Sequence, residues 1–90
     1  MLLSVTTHKF REGYANLPEA IQRTTRKAYY LWKADNAHPA AQFKLVHPNK
    51  PIYSARAGLG YRAVGIKETD TIIWFWIGPH SEYNRLLKLL

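Results

Sequence analysis

Three side chains that can transfer protons lie within four residues near the end of the chain. His80, Glu82 and Tyr83 directly follow the apolar run 71–77. Histidine gains and loses a proton near neutral pH, so His80 could serve as a general acid or a general base. The structural alternative places His80 and Glu82 in the first turn of a helix and Tyr83 in the core. Their proximity favours the catalytic interpretation.

Two arginines upstream of this triplet could stabilise developing negative charge. Arg56 and Arg62 flank the turn 58–60 and could face each other across a β-hairpin. Two neighbouring cations favour a bridging anion, such as a phosphate or a carboxylate. An ion pair with a nearby acidic side chain is the structural alternative. With His80, the arginines would meet the needs of RNA cleavage, which are a base for the 2′-hydroxyl, an acid for the leaving oxygen and cations for the phosphate.

Four further side chains could line the same surface and hold a nucleic acid. Basic groups bind phosphates, and tyrosine rings can stack on bases. The aromatic run 74–76 is more typical of a core. The candidates for nucleic-acid binding are Lys44, His47, Tyr53 and Tyr61.

Composition limits the classes of protein to consider. Thirteen Lys and Arg against six Asp and Glu give a formal charge of +7, which attracts polyanions or an acidic partner chain. The absence of cysteine excludes disulfides, thiolate zinc sites and cysteine nucleophiles. We expect neither a metal site nor a cofactor. Ninety residues suit a single domain over 1–90. Because no run reaches about eighteen apolar residues and no export signal is evident, we expect a cytoplasmic protein without a membrane partner.

The first half of the sequence predicts a strand followed by a helical hairpin. Residues 2–6 alternate weakly, and Thr7 can cap a short helix over residues 8–14. Asn16 and Glu19 could form a capping box for a second helix, whose apolar stripe would pack on a sheet.

The polar side of this second helix carries a second candidate surface. Arg23, Lys27 and Tyr30 lie mostly off the apolar stripe. Such a face is most often simply solvated, and the functional alternative is a docking surface for an acidic helix or for RNA phosphates.

The second half of the sequence predicts four strands and a last helix. The strands cover 42–47, 52–57, 61–67 and 71–77, and helical spacing resumes from Tyr83. The run 71–77 is apolar enough for a central strand buried on both faces. The order strand, helix, helix, four strands, helix predicts an α+β fold of two layers, with the helices packed on one face of a mainly antiparallel sheet.

Two motifs resemble the RelE/ParE superfamily of bacterial toxins. They are Gly-Tyr-Arg at 60–62 and Gly-x-His-x-x-Tyr at 78–83. The resemblance covers nearly the whole chain in element order and implies the RelE-like fold. In RelE-type toxins the arginine of the first motif acts on the scissile phosphate, which corresponds to Arg62. The resemblance also assigns a catalytic tyrosine to Tyr83 and a base or acid role to His80.

The chain departs from RelE-type nucleases at two places. Tyr53 and Ala55 stand on the strand where those nucleases have lysines. A second catalytic arginine would fall near His80, and the chain has none there.

The resemblance implies the toxin of a type II toxin–antitoxin pair, with an acidic antitoxin as its cognate partner. The expected antitoxin-binding residues are Arg23, Lys27 and Tyr30. The activity it implies first is that of a ribosome-dependent, metal-independent endoribonuclease, an mRNA interferase that inhibits translation. A ParE-type inhibitor of DNA gyrase without nuclease activity is the alternative, and an inactive antitoxin-binding module is a third.

Overall fold

The computed structural model describes residues 2–90, which form one five-stranded sheet with three α-helices. The strand order is β1-β5-β4-β3-β2; β1 runs parallel to β5, and every other neighbouring pair is antiparallel. None of the helices in this described part is long and apolar enough to cross a membrane. The elements are β1 (Leu3–Thr6), α1 (His8–Ala15), α2 (Glu19–Ala34), a 3₁₀ turn (Pro39–Ala41), β2 (Lys44–Leu45), β3 (Ile52–Gly58), β4 (Tyr61–Glu68), β5 (Thr71–Pro79) and α3 (His80–Leu89).

The helices divide between the two faces of the sheet. Side chains alternate along β3, so Ala55 and Ala57 join Trp32 of α2 in one apolar cluster, whereas Ile52 joins Tyr83 of α3 in another. The α+β class and the element order are as predicted. The expectation that all helices share one face holds for α1 and α2 but not for α3, because the apolar stripe of α3 needs a surface that the hairpin does not already cover.

The turn between α1 and α2 differs from the predicted capping box. Thr7 caps α1 as expected, since its hydroxyl accepts from the Phe10 amide at 3.1 Å. Asn16 does not cap α2, because its backbone stays helical and its amide completes α1 by donating to the Glu12 carbonyl. Helix α2 instead begins after Pro18 without a side-chain cap.

Strand β2 is shorter than predicted, and β5 is irregular. Gln42 takes a left-handed conformation with φ 47° at the end of the 3₁₀ turn, so pairing begins only at Lys44. Strand β5 lies inside the sheet between β1 and β4, and β4 occupies the centre. Opposite Val64 and Gly65 of β4, strand β5 has a bulge at Phe75, which pairs with no residue of β4. Trp74 therefore packs on the α2 side and Trp76 on the α3 side.

Candidate functional site

Arg62 is a buried arginine held by hydrogen bonds from several directions. It is 5% exposed. Its Nε and Nη2 donate to the Ser54 hydroxyl at 2.9 and 2.6 Å. Its Nη1 donates to Gln42 Oε1 at 2.8 Å, and its Nη2 also donates to the Gln42 carbonyl at 3.2 Å. The orientation of the guanidinium is therefore fixed by Ser54 of β3 and by Gln42 at the end of the 3₁₀ turn.

Tyr83 and His80 extend this arrangement towards the surface. The guanidinium carbon of Arg62 lies 5.5 Å from the Tyr83 ring centroid, and the Tyr83 and His80 ring centroids are 5.4 Å apart. Tyr83 is buried, whereas His80 is exposed at the first position of α3. The His80 amide donates to the Gly60 carbonyl at 2.8 Å, which ties the start of α3 to the turn between β3 and β4.

Arg56 is the second cation beside Arg62. The two arginines are direct cross-strand partners on β3 and β4, as the sequence predicts for the hairpin. Within residues 2–90 neither forms an ion pair, so the predicted structural alternative is not observed. Burial lowers the pKa of Arg62; Tyr83 opposes this shift, and the positive charge of Arg56 adds to it. An arginine nevertheless keeps its proton in proteins, so the pair presents concentrated positive charge.

Lys44 continues this positive charge along the sheet edge. It is exposed on β2 and pairs with Ser54, so it lies on the same face as Arg62. We call the group Lys44, Arg56, Arg62, His80 and Tyr83 the Arg62 site. It contains proton-transfer groups and cations within one surface at the end of the sheet.

The two candidate tyrosines outside α3 lie away from the Arg62 site. Tyr53 packs on the face covered by α2, where it stacks on Phe43 with ring centroids 4.9 Å apart. Tyr61 also packs against the cluster on that face. Because side chains alternate along a strand, the odd-numbered Tyr53 and Tyr61 point to the face opposite the even-numbered Arg56 and Arg62. The structure therefore does not bring the two tyrosines to the predicted nucleic-acid surface.

Glu82 and His47 also lie outside the Arg62 site. Glu82 is exposed and lines a surface depression of about 310 Å³ beside the α1–α2 turn. His47 accepts from the amides of Asn49 and Lys50 through Nδ1, and its Nε2 lies 3.0 Å from the Leu90 carbonyl. These bonds make His47 a link between the β2–β3 turn and the far end of α3.

Comparison with known proteins identifies the family. The model of the ParE-like toxin domain matches residues 19–85. The chain belongs to this ParE-like toxin family. No curated protein sequence matches it significantly.

Solved structures share the fold of this ParE-like toxin. The RelB–RelE antitoxin–toxin complex from Methanococcus jannaschii matches with a TM-score of 0.71 and 16% identity over 91% of this chain and 96% of that chain. The RelE–RelB complex from Pyrococcus horikoshii matches with a TM-score of 0.66 and 14% identity over 88% of this chain and 94% of that chain. The RelBE complex from E. coli matches with a TM-score of 0.63 and 13% identity over 88% of this chain and 96% of that chain. These likenesses confirm the predicted RelE-like fold.

The predicted antitoxin-binding residues of this ParE-like toxin are accessible on α2. Arg23, Lys27 and Tyr30 are exposed, and Tyr30 retains 68% of its surface. Arg23 forms an exposed ion pair with Glu19 at 3.3 Å. Because α2 covers the other side of the sheet, this surface lies opposite the Arg62 site.

Two residues that hold Arg62 were not among the sequence candidates. Ser54 is fully buried, and its hydroxyl receives two of the arginine hydrogen bonds. Gln42 supplies the other two acceptors. Ser54 could have been found in the sequence, because it is a small polar residue between Tyr53 and Ala55 on the strand that pairs with the strand of Arg62. No comparable signal marks Gln42, whose left-handed backbone brings it to Arg62.

Proposed function

We propose that this toxin is a ribosome-dependent mRNA endonuclease that inhibits translation. The observation that supports this proposal is the contact series from Arg62 through Tyr83 to His80, with Arg56 paired beside Arg62. It places an exposed histidine next to concentrated positive charge. Cleavage of RNA by its own 2′-hydroxyl requires proton transfer and charge stabilisation of this kind.

Each member of the Arg62 site has a distinct role in the proposal. His80 exchanges protons with the 2′-oxygen or with the leaving 5′-oxygen, because it is exposed and an imidazole can both accept and donate a proton. Arg56, half-exposed, contacts the scissile phosphate. Arg62, buried beside Arg56, adds its positive charge to the electrostatic potential at the phosphate. Tyr83 lies between Arg62 and His80 and positions the His80 ring. Lys44 holds the RNA backbone at the sheet edge.

Inhibition of DNA gyrase without nuclease activity is the second candidate. The burial of Arg62 favours it, since its donors are already engaged by Ser54 and Gln42 and the residue is 5% exposed. A guanidinium whose donors are already bonded within the protein stabilises the fold and has few donors left for a substrate. The Arg62 site would then be a positively charged contact surface.

An acidic antitoxin is the partner that we infer for this toxin. The RelB–RelE neighbours are antitoxin–toxin complexes, and this chain carries a formal charge of +7. The exposed residues Arg23, Lys27 and Tyr30, or the Arg62 site, would receive an antitoxin segment that folds on binding. Both ribosomes and the bacterial nucleoid are in the cytoplasm, where we propose that the toxin acts.

Cleavage of mRNA on programmed ribosomes tests the proposal. The purified chain is added to bacterial ribosomes carrying a short mRNA, and primer extension maps any cut; a parallel reaction with gyrase and supercoiled DNA scores double-strand breaks. Site-specific cuts that require the ribosome support the nuclease. DNA breaks with intact mRNA favour gyrase inhibition. Neither product, with an intact antitoxin complex, identifies the inactive binding module.

A further inference from the structure

Arg62 is a buried cation without an anionic partner in residues 2–90. It is 5% exposed, and no acidic side chain in this described part of the chain pairs with it. Its hydrogen bonds go to neutral oxygens, two to the Ser54 hydroxyl and one each to the Gln42 side chain and carbonyl. Buried charges are usually paired with an opposite charge, and Arg56 adds a second positive charge here. The guanidinium therefore favours an anion over the neutral oxygens that it contacts.

Gln42 holds the two outer nitrogens of this guanidinium with two oxygens of one residue. Its side-chain Oε1 accepts from Arg62 Nη1 at 2.8 Å, and its carbonyl oxygen accepts from Nη2 at 3.2 Å. Two oxygens facing two guanidinium nitrogens are also the arrangement of a bound phosphate or carboxylate. Nη1 carries a second hydrogen, for which residues 2–90 supply no acceptor. The Gln42 side chain thus occupies a position that suits an anionic oxygen better than an amide.

Gln42 is also the contact of this guanidinium that can move away most easily. Ser54 and Tyr83 are buried, whereas Gln42 is exposed. Its neighbours Ala41 and Phe43 pack in the core on the α2 side, so the backbone is held on both sides of Gln42. This backbone is left-handed with φ 47°, a conformation that residues other than glycine rarely adopt. Rotation of the Gln42 side chain is therefore the movement that opens Nη1 to solvent.

We propose that the Gln42 side chain is an exchangeable cover of Arg62, which rotates away when a phosphate of the RNA binds. With the cover in place, Arg62 acts on the site only through its charge. With the cover open, Nη1 offers two donors to a phosphate oxygen, while Ser54 and the Gln42 carbonyl keep the guanidinium in position. The inference rests on the proposed function for the identity of the anion. It makes Gln42 a positioning residue that decides when Arg62 can contact the substrate.

The first test follows the cover in the purified chain without any cleavage. The probe is a hexanucleotide whose 2′-hydroxyls are methylated, so that it cannot be cut. An acetylated and amidated penta-glutamate of equal charge is the matched peptide. A ¹H–¹⁵N spectrum reports the side-chain N–H signals of Arg62 and Gln42, which are assigned by their loss in Arg62→Lys and Gln42→Gly. We expect the RNA to move both sets of signals together, and the peptide to leave them in place.

Variants of Gln42 separate a cover from a residue that merely holds Arg62. Gln42→Gly keeps the left-handed backbone and the carbonyl, so it should bind the RNA about three- to tenfold more tightly, because no side chain competes with the phosphate. A purely structural Gln42 predicts the opposite sign. Gln42→Glu places a permanent carboxylate on Nη1 and should weaken binding about tenfold. Asn49→Asp makes the same change at an exposed position in the β2–β3 turn and should alter binding by no more than about twofold.

If Gln42→Gly does not fold, Gln42→Asn replaces it. Asparagine tolerates the left-handed backbone, and its side chain is one methylene shorter and does not reach Nη1. It should therefore bind the RNA more tightly than the wild-type chain, as Gln42→Gly should.

The outcomes distinguish this inference from the proposed function. Tighter binding by Gln42→Gly without any ribosome-dependent cut would support the cover and reject the nuclease. Cuts by the wild-type chain, with unchanged or weaker RNA binding by folded Gln42→Gly, would reject the cover and keep the nuclease. Signals that move equally with penta-glutamate would assign the position to a carboxylate of a protein partner and overturn the inference.

Discussion

Arg62 shows how one residue can belong to both scaffold and site. The sequence motif identifies it, but its four donated hydrogen bonds and its cover by Tyr83 are features of a structural arginine. The motif implies an arginine that acts on a phosphate, whereas the structure leaves only 5% of Arg62 exposed. Burial changes the experiment, because loss of activity in an Arg62 variant could arise from loss of the fold.

The first prediction concerns the stability that Arg62 provides. Arg62→Ala should lower the free energy of unfolding by about 2–3 kcal/mol, since it leaves the buried Ser54 hydroxyl without its charged partner. Arg56→Ala is the matched control; it should change stability by at most about 0.5 kcal/mol because Arg56 is half-exposed and unpaired among residues 2–90. Urea denaturation measures both. Equal effects would show that the Ser54 and Gln42 bonds do not anchor the sheet.

The second prediction concerns the chemistry of His80. His80→Ala should reduce ribosome-dependent cleavage by about 10²–10⁴, the usual effect of losing a general acid or base. It should hardly change the melting temperature, because the side chain is exposed. His8→Ala, exposed on α1, is the control and should cleave normally. Full cleavage by the folded His80 variant would exclude His80 from the reaction.

At the scale of elements, the bulge between β4 and β5 decides which aromatic side chains face which helices. A Cβ at Gly65 would lie 2.8 Å from Ile72 Cγ2 and 3.0 Å from both the Ile73 carbonyl oxygen and Trp74 Cε3. The strands can approach this closely only because position 65 has no side chain. The bulge in turn directs Trp74 towards α2 and Trp76 towards α3.

The third prediction follows from this close approach. Gly65→Ala should destabilise the protein by about 1–3 kcal/mol, as overpacking of a core does, and should change the near-ultraviolet circular dichroism of the tryptophans. Gly60→Ala is a useful comparison, since a Cβ there meets open space and its cost comes only from φ +77°. That variant should keep the native tryptophan spectrum. An unchanged spectrum for Gly65→Ala would mean that the strands separate at little cost.

The sequence predicts the identity and order of these elements better than their faces. Local signals such as the Thr7 cap, the 58–60 turn and the register of Arg56 with Arg62 were sufficient, because they depend on neighbours in the chain. The face of the sheet that α3 covers and the bulge opposite Gly65 depend on packing between distant segments. The separation of Tyr53 from Arg62 follows from the sequence itself, because Tyr53 and Arg56 are three residues apart on one strand and so point to opposite faces, and Arg56 pairs with Arg62.

At the scale of the whole molecule, two accessible basic surfaces lie on opposite sides of the sheet. Lys27 is exposed on α2, whereas Arg56 belongs to the Arg62 site. The principal extents are 33 × 30 × 25 Å. A partner that covers both surfaces must pass around an edge, which takes about eight extended residues for 25 Å. An extended acidic segment meets this requirement better than a compact domain.

The final prediction separates toxicity from antitoxin docking in living bacteria. Induction of the chain alone should arrest growth, and co-production of its acidic partner should restore growth, because the partner covers a molecule of charge +7. Lys27→Glu should remain toxic but be rescued poorly, since the new charge repels an acidic segment on α2. Lys88→Glu, exposed at the end of α3, makes the same charge change away from that surface and should be rescued fully. Colony counts with and without the partner measure each strain. Equal rescue of the two variants would place the antitoxin away from Lys27. If the wild-type chain is made in soluble form without its partner and the strain grows normally, the chain is not an active toxin.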